Sequence, residues 1–274
     1  MLQWLIAAAL AGPWTRDQGD YYARAGFDGY VPRVYVNPLT GNPVDTDRRY
    51  LGLQGGFYGE FGLCKQWPLQ LTIAAPFTMG SLTFETASGV GRATTYRFGD
   101  SRLGLQTALT KKFPVALALD AKVPMYANDD VGHGKGVYQQ QFPKPGDGQV
   151  DLGLWALGGA AKGKSWGELA VGWVHRTQAF VGWDVDLRFV DGVGFATTVG
   201  THQGDAYLML KADGRWNPVD DDVSREWLAV GPAILYDVNK HLGIEARVTY
   251  EPTSAQAARG YGFGVGLSRR APAP

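Results

Sequence analysis

The chain has 274 residues with 26 basic and 26 acidic side chains, so its formal net charge is zero. No basic run interleaved with aromatics is present, which excludes a nucleic-acid binder. Glycine is abundant at 38 residues, charged residues reach only 19% and aromatics 12%, a balance that suits strands that curve and line membrane interfaces better than an ordinary soluble domain. No run of about 18 apolar residues could cross a membrane as a helix. The single cysteine, Cys64, can form no internal disulfide or metal cluster and reads as a bystander thiol.

The opening MLQWLIAAALAG reads as a short signal peptide over residues 1–11, with Ala9-Leu10-Ala11 as the small-residue cleavage pattern. It lacks the usual positive start, and its alternative is a buried first strand or helix. No cysteine lies near the cleavage site for acylation. Residues 12–270 then form the folded body, and 271–274 a C-terminal tail.

Beyond the leader the apolar residues recur with period 2, the mark of half-buried strands. A first strand, Asp20 to Asp28, sets Tyr21, Ala23, Ala25 and Phe27 against Tyr22, Arg24 and Asp28. A long polar connection over 29–49 leads to a second strand, with Leu51, Leu53, Phe57 and Phe61 against Tyr50, Gln54, Tyr58 and Glu60. After a tight turn at Cys64–Trp67, the third strand runs from Pro68 to Phe77, and Thr78–Phe98 reads as a second long connection. Strands four and five form a hairpin about Lys111–Pro114. Leu103, Leu105, Val115, Leu117, Leu119 and Val123 share one face, and Arg102, Gly104, Gln106, Ala116, Ala118, Asp120 and Lys122 the other.

A third long connection, Tyr126–Gly148, precedes strand six, where Val150, Leu152 and Leu154 oppose Asp151, Gly153 and Trp155. A short turn leads to strand seven, with Leu169, Val171 and Trp173 against Glu168, Gly172 and Arg176. The region 178–200 holds a return strand ending in GFATTVG, of blurred phase. Strand nine sets Leu208 and Leu210 against Tyr207, Lys211 and Asp213. Strand ten is Trp227–Tyr236. Strand eleven sets Leu242, Ile244, Ala246 and Val248 against Gly243, Glu245 and Arg247. Strand twelve is YGFGVGL.

Two features select among all-β folds. The face opposite the greasy one is small and mixed, as an enclosed polar interior would be, rather than densely charged. The connections also alternate long and short from end to end, as the extracellular loops and periplasmic turns of an outer-membrane barrel do. The pattern therefore predicts a single antiparallel up-and-down transmembrane β-barrel of about twelve strands. Aromatics at the predicted strand ends fit interfacial girdles, with Trp67, Phe113 and Trp166 at one rim. Tyr50, Phe77, Tyr126, Trp216, Trp227 and Tyr250 mark the other rim.

In such a barrel Glu60, Arg102, Asp120, Lys122, Asp151, Glu168, Arg176, Lys211, Asp213, Glu245 and Arg247 point inward, because charge on the lipid face is costly. Tyr58, Trp155 and Tyr207 add aromatic surface. These side chains either neutralise one another and fill the lumen or line a solute pathway; twelve strands lie between the filled eight-stranded barrel and the open porin.

No catalytic constellation emerges, and no enzyme or cofactor is expected. His175 faces lipid without the serine an outer-membrane phospholipase needs. Asp129–Asp130 with His133 reads as solvated loop. Asp220–Asp222 could bind Ca²⁺ or bridge lipopolysaccharide but matches no defined loop. Gly89-Val90-Gly91 lacks a phosphate-loop context.

GPWTRDQGDYYARAGF, RYLGLQGGFYGEFGL, LQLTIAAPF, FGDSRLGLQTAL, FPVALALDAKVPM, GDGQVDLGLWALGG, GELAVGWVHR and ARGYGFGVGL, in that order, resemble outer-membrane proteins of the phenol-degradation (MetA-type) family. Where that family has a Thr-Gly pair after the proline at 124, this chain has Met125-Tyr126. The resemblance implies a transporter of small, often aromatic or hydrophobic molecules and carries over no catalytic residue. The expected function is passive passage of small molecules across the outer membrane, in contact with lipid and lipopolysaccharide. The alternatives are a non-conducting barrel serving as anchor or partner platform, and a soluble ligand-binding barrel with its apolar face inward.

Overall fold

The computed structural model describes residues 12–36, 43–44, 49–86, 89–110, 113–126, 146, 148–180, 189–219, 224, 226–255 and 259–271. Alternating side chains give fourteen strands: β1 (Tyr21–Val36), β2 (Pro43–Val44), β3 (Arg49–Gly62), β4 (Leu69–Thr86), β5 (Gly89–Phe98), β6 (Asp100–Ala108) and β7 (Val115–Pro124) in the first half. The second half contributes β8 (Gln149–Lys162), β9 (Ser165–Phe180), β10 (Gly192–Gln203), β11 (Ala206–Trp216), β12 (Glu226–Asp237), β13 (Leu242–Ala255) and β14 (Arg259–Ala271). Each pairs antiparallel with its neighbour, and β14 returns to β1 in register from Tyr21↔Ala271 to Val31↔Tyr261. The ring is closed by twelve strands, since β2 pairs only with β1 and β5 only with β4. Closure removes the sheet edges that a bilayer could not satisfy.

Which face is greasy decides the environment. Leu103, Leu117, Leu152 and Ile244 are 54%, 40%, 48% and 47% exposed, while Asp120 and Arg247 keep less than a tenth of their side-chain surface. The apolar phase faces outward on every strand of the hairpin β6–β7, where Val115, Leu119 and Val123 are exposed and Ala116, Ala118 and Lys122 are buried. A soluble ligand-binding barrel has the reverse arrangement. An outward apolar belt of this extent is stable only in acyl chains.

Several expectations are corrected. The stretch Thr78–Phe98 is not a loop: β4 continues to Thr86 and pairs with β5 from Phe77↔Phe98 to Thr86↔Gly89. Its threonines and aromatics are good strand formers, but a ribbon rising beyond the lipid needs no greasy alternation, so the period-2 signal fades there. β5 and β6 are one bent strand. Their register against β4 slips between Phe77↔Phe98 and Ala74↔Arg102, and the Gly99 N–H donates to the Pro76 carbonyl at 2.9 Å across this bulge. β1 likewise runs on to Val36, eight residues past its expected end. The return strand is β10, whose Thr198 and Gly194 point inward.

The aromatic rims are only partly girdles. Trp67 and Phe113 at the short-turn end, and Phe77, Trp216 and Tyr250 at the other, are exposed. Tyr126 and Trp227 are buried inside instead, and Tyr50 packs against the interior cluster. Trp166 is on the inward phase, beside Gly200 and edge-on to Tyr207.

The outward orientation gives the first test. Leu119→Arg, at the centre of β7, should cost about 2–4 kcal/mol of folding free energy in a bilayer, and Leu119→Ile less than about 1.5 kcal/mol. Urea titration of refolding into phospholipid vesicles, read by heat-modifiable electrophoretic mobility, measures both.

Candidate functional site: the barrel lumen

The inward phase of each strand delivers the expected charged residues into one interior, and there most of them are matched. On one side, Arg247 Nη2 lies 2.8 Å from Asp28 Oδ1, Arg24 Nε lies 2.8 Å from Glu245 Oε2, and Lys211 Nζ lies 3.7 Å from the other Glu245 oxygen. On the other, Lys122 Nζ lies 2.9 Å from Asp151 and 3.6 Å from Asp100, and Arg176 Nε lies 3.4 Å from Asp151. Gln149 donates to Asp151 as well, at 2.7 Å. Arg102 and Asp120 pair at 2.7 Å. Tyr58 donates to Glu60 at 2.9 Å. The sequence anticipated these residues as inward, but not Asp28, Arg24 and Asp100 as their partners.

Pairing is enforced by desolvation. Lys122 is 2% exposed, and an ammonium held that dry is tolerable only with carboxylates around it. Side chains this inaccessible do not border an open water column, so the lumen is filled at their level.

Trp155 is the centre of the filling. It is 1% exposed, and its indole N–H donates to Asp120 Oδ1 at 2.6 Å. The ring lies along the wall where β8, β9 and β10 present Gly153, Gly172 and Gly194. A Cβ at any of the three would come within 2.5 Å of it. These glycines are a cradle for an aromatic ring, a role the sequence pattern did not reveal because glycine also serves turns.

Around Trp155 the interior is apolar. Ala116, Ala118, Leu157, Ala170 and Val174 form one buried cluster with it, joined by Tyr30, Trp227 and Ala229 from β1 and β12. This strip was missed as a feature. Its signal is present, since Leu157 continues the inward phase of Asp151, Gly153 and Trp155, and Val174 that of Gly172. The interior therefore combines this hydrocarbon cluster with ion pairs along β1, β11 and β13, and with Asp120, Lys122, Asp151 and Arg176 on the same strands, β7 to β9, that carry most of the cluster.

The remaining expected lining residues stand near the short-turn end. Tyr207 is half-buried, stacks on His202 with ring centroids 4.4 Å apart and meets Trp166 edge-on. Glu168 accepts from Thr198 and lies against a segment that is not part of the wall. That segment is 12–17. The Arg16 N–H donates to Gln70 Oε1 and its guanidinium pairs with Glu60, both at 2.8 Å, and the Gly12 carbonyl accepts from Gln106 at 2.8 Å. Pro13 is fully buried, and Gly159 on β8 faces Pro13 and Trp14. Residues 12–17 thus form a strap across the mouth, where the sequence reading had included them in the barrel body.

Outside the lumen, Asp191 precedes β10 and accepts from the Trp173 indole at 3.1 Å, the Arg176 N–H at 3.0 Å and the His175 ring at 3.0 Å. Burial works to raise its carboxyl, but these hydrogen bonds outweigh it and hold Asp191 below the usual carboxylate range. In the turn between β3 and β4, Cys64 is pulled below its ordinary value by the backbone N–H groups of Trp67 and Gln66. Asp129, Asp130, His133 and Asp220–Asp222 lie outside the described residues. Among the described residues, no group of three or more His, Cys, Asp or Glu side chains is placed to hold a metal ion.

A closed ring with an apolar exterior and an ionic interior defines a twelve-stranded transmembrane β-barrel of the outer-membrane type. Known proteins agree at the level of fold. No family model matches the chain, and no curated protein matches it. Among solved structures it is similar to an outer-membrane channel from Pseudomonas putida F1, with a TM-score of 0.65 at 10% identity over 96% of this chain and 99% of that one. It is similar to CymD, a monoaromatic hydrocarbon channel, with a TM-score of 0.53 at 9% identity over 93% of this chain and 89% of that one. The transport unit of the autotransporter AIDA-I from Escherichia coli gives 0.51 at 9% identity, over 97% of this chain and 95% of that one. The outer-membrane barrel implied by the phenol-degradation resemblance is thus the observed fold. Because likeness at 9–10% identity speaks for the fold alone, the solute must be argued from this chain's own interior.

Two tests follow from the site. Gly194→Ala should cost about 1–3 kcal/mol by crowding Trp155, and the cost should largely vanish in a Trp155→Leu background, giving a measurable coupling in a double-mutant cycle. Because the Asp191 carboxyl is depressed on folding, its contribution is complete above the unfolded value of about 3.9 and lost as pH falls through the lower folded value. Tryptophan emission should therefore be constant down to about pH 4 and step below it, and Asp191→Asn should abolish the step.

Proposed function

We propose that the barrel passes small apolar or aromatic molecules passively across the outer membrane, set in lipid with lipopolysaccharide around its outer rim. The observation that carries this reading is the hydrocarbon strip inside the lumen. A barrel serving only to anchor, or to admit hydrated ions, has no use for Leu157, Val174 and the Trp155 indole face on its interior wall. Water-filled lumens are polar. An apolar solute passing the Trp155 cluster exchanges one hydrocarbon contact for another, while the ion pairs of the lumen remain made. In this reading the paired residues Arg102, Asp120, Lys122, Asp151, Arg176, Lys211, Glu245 and Arg247 hold the barrel's cross-section and disfavour charged solutes. Trp155 occupies the passage and must yield to a solute of similar shape. Two similar structures, one an outer-membrane channel and one a monoaromatic hydrocarbon channel, support this reading.

One observation favours the non-conducting alternative, namely that the interior is filled at the level of Trp155 and Lys122. Flux decides between the two. Proteoliposomes should release an entrapped monoaromatic alcohol several-fold faster than protein-free vesicles while retaining glucose. Trp155→Ala, which removes the side chain blocking the strip, should raise release of both. Equal release from proteoliposomes and empty vesicles, for every solute and for Trp155→Ala, rejects conduction.

A further inference from the structure

Among the described residues most of the expected inward carboxylates are matched. Glu60, Asp120, Asp151 and Glu245 each have a cation within ion-pair distance. Among the described residues Glu168 has none; it accepts from the Thr198 hydroxyl, and Lys211, which acts on it from further away, is engaged with Glu245. What lies against Glu168 is backbone. A Cβ built on Gly12 would fall 2.1 Å from Glu168 Oε2, so the carboxylate rests on the Gly12 α-carbon, one bond from the Gly12 nitrogen. The Gly12 carbonyl is fixed by Gln106 and the next residue, Pro13, is fully buried, which sets the direction of the chain at this point.

Immediately before Gly12 stands the small-residue pattern Ala9-Leu10-Ala11 at the end of an apolar stretch. We propose that the Ala11–Gly12 peptide bond is the processing site, and that the α-ammonium group left on Gly12 is the counter-ion of Glu168 inside the mouth of the barrel. Hydrolysis by a signal peptidase breaks the C–N bond, with water giving its hydroxyl to the Ala11 carbonyl carbon and a proton to the Gly12 nitrogen. At neutral pH the new amine takes a further proton, since an α-amino group titrates near 8. A neutral amide with one N–H thereby becomes a cation with three donors beside an unpaired carboxylate. Cleavage itself gives Glu168 a cation and fastens the free end of the strap, whose other anchors are Arg16–Glu60 and Arg16–Gln70. A side chain at position 12 would occupy the space of the Glu168 carboxylate and push it aside. The proposal is independent of what the barrel conducts.

N-terminal sequencing and intact mass of protein purified from outer membranes should give Gly12 as the first residue; any other start overturns the assignment. The latch is read separately, by acylation of the amine with an N-hydroxysuccinimide ester at about pH 7. In the folded wild-type barrel the Gly12 amine should react about tenfold or more slowly than in heat-denatured protein, as expected for a charge-assisted bond, while the exposed Lys65 and Lys162 react alike in both. Equal Gly12 reactivity in folded and denatured wild type overturns the latch whether or not any variant folds. Glu168→Gln should abolish the protection in the folded barrel, and protection that survives it overturns Glu168 as the partner.

Discussion

The structure depends on one constraint, that acyl chains offer no hydrogen-bond partner. Every backbone N–H and C=O at membrane depth must be satisfied within the sheet, and the β1–β14 pairing that closes the ring does this. Once the ring exists, period 2 assigns each side chain to lipid or lumen, and a one-residue slip would turn Leu117 inward and Lys122 outward. The register of β6–β7, Arg102↔Lys122 and Leu105↔Leu119, is held by that penalty along its whole length. The outward belt and the inward charges have a single cause.

Inside the ring the balance is different, because twelve strands enclose too little space for bulk water beside large side chains. Ions placed there must find each other, and they do so between strands distant in sequence, as in Arg24–Glu245 and Arg247–Asp28. These contacts tie β1 to β13 across the β14 seam, so they also brace the point where the two ends of the sheet meet. Beside these ions stands an apolar cluster, where Trp155 packs on glycines from three strands.

The wall of this barrel was legible in the sequence wherever one face had to be greasy. Leu103 to Val123 showed it without ambiguity, and so did β8, β9 and β13. Legibility failed where that requirement lapses. β4 and β5 beyond Pro76 carry threonine, serine and arginine on a ribbon outside the lipid, and read as loop. Aromatics at strand ends were read as girdle residues, but Trp227 and Tyr126 lie on inward phases and bury their rings. Pairing was invisible too: alternation placed Asp120, Lys122 and Glu245 in the lumen, yet which cation meets which anion depends on tilt and stagger. The strap carried no periodic signal at all, since segment 12–17 is held by side chains of Glu60, Gln70 and Gln106 rather than by a ladder.

A filled lumen and a conducting lumen are compatible if the ion pairs and the Trp155 cluster differ in what movement costs. Displacing one member of the Lys122–Asp151–Arg176 set strands a buried charge, which costs several kcal/mol. Swinging the Trp155 ring off its glycines loses dispersion contacts and one hydrogen bond, and an incoming apolar solute restores the contacts. Motion is therefore cheapest at the Trp155 ring itself, which faces Gly153, Gly172 and Gly194, and dearest at Asp151 and Arg176 on the same strands β8 and β9. The ion pairs fix the shape of the barrel, and the glycine-backed ring of Trp155 is where that shape can give.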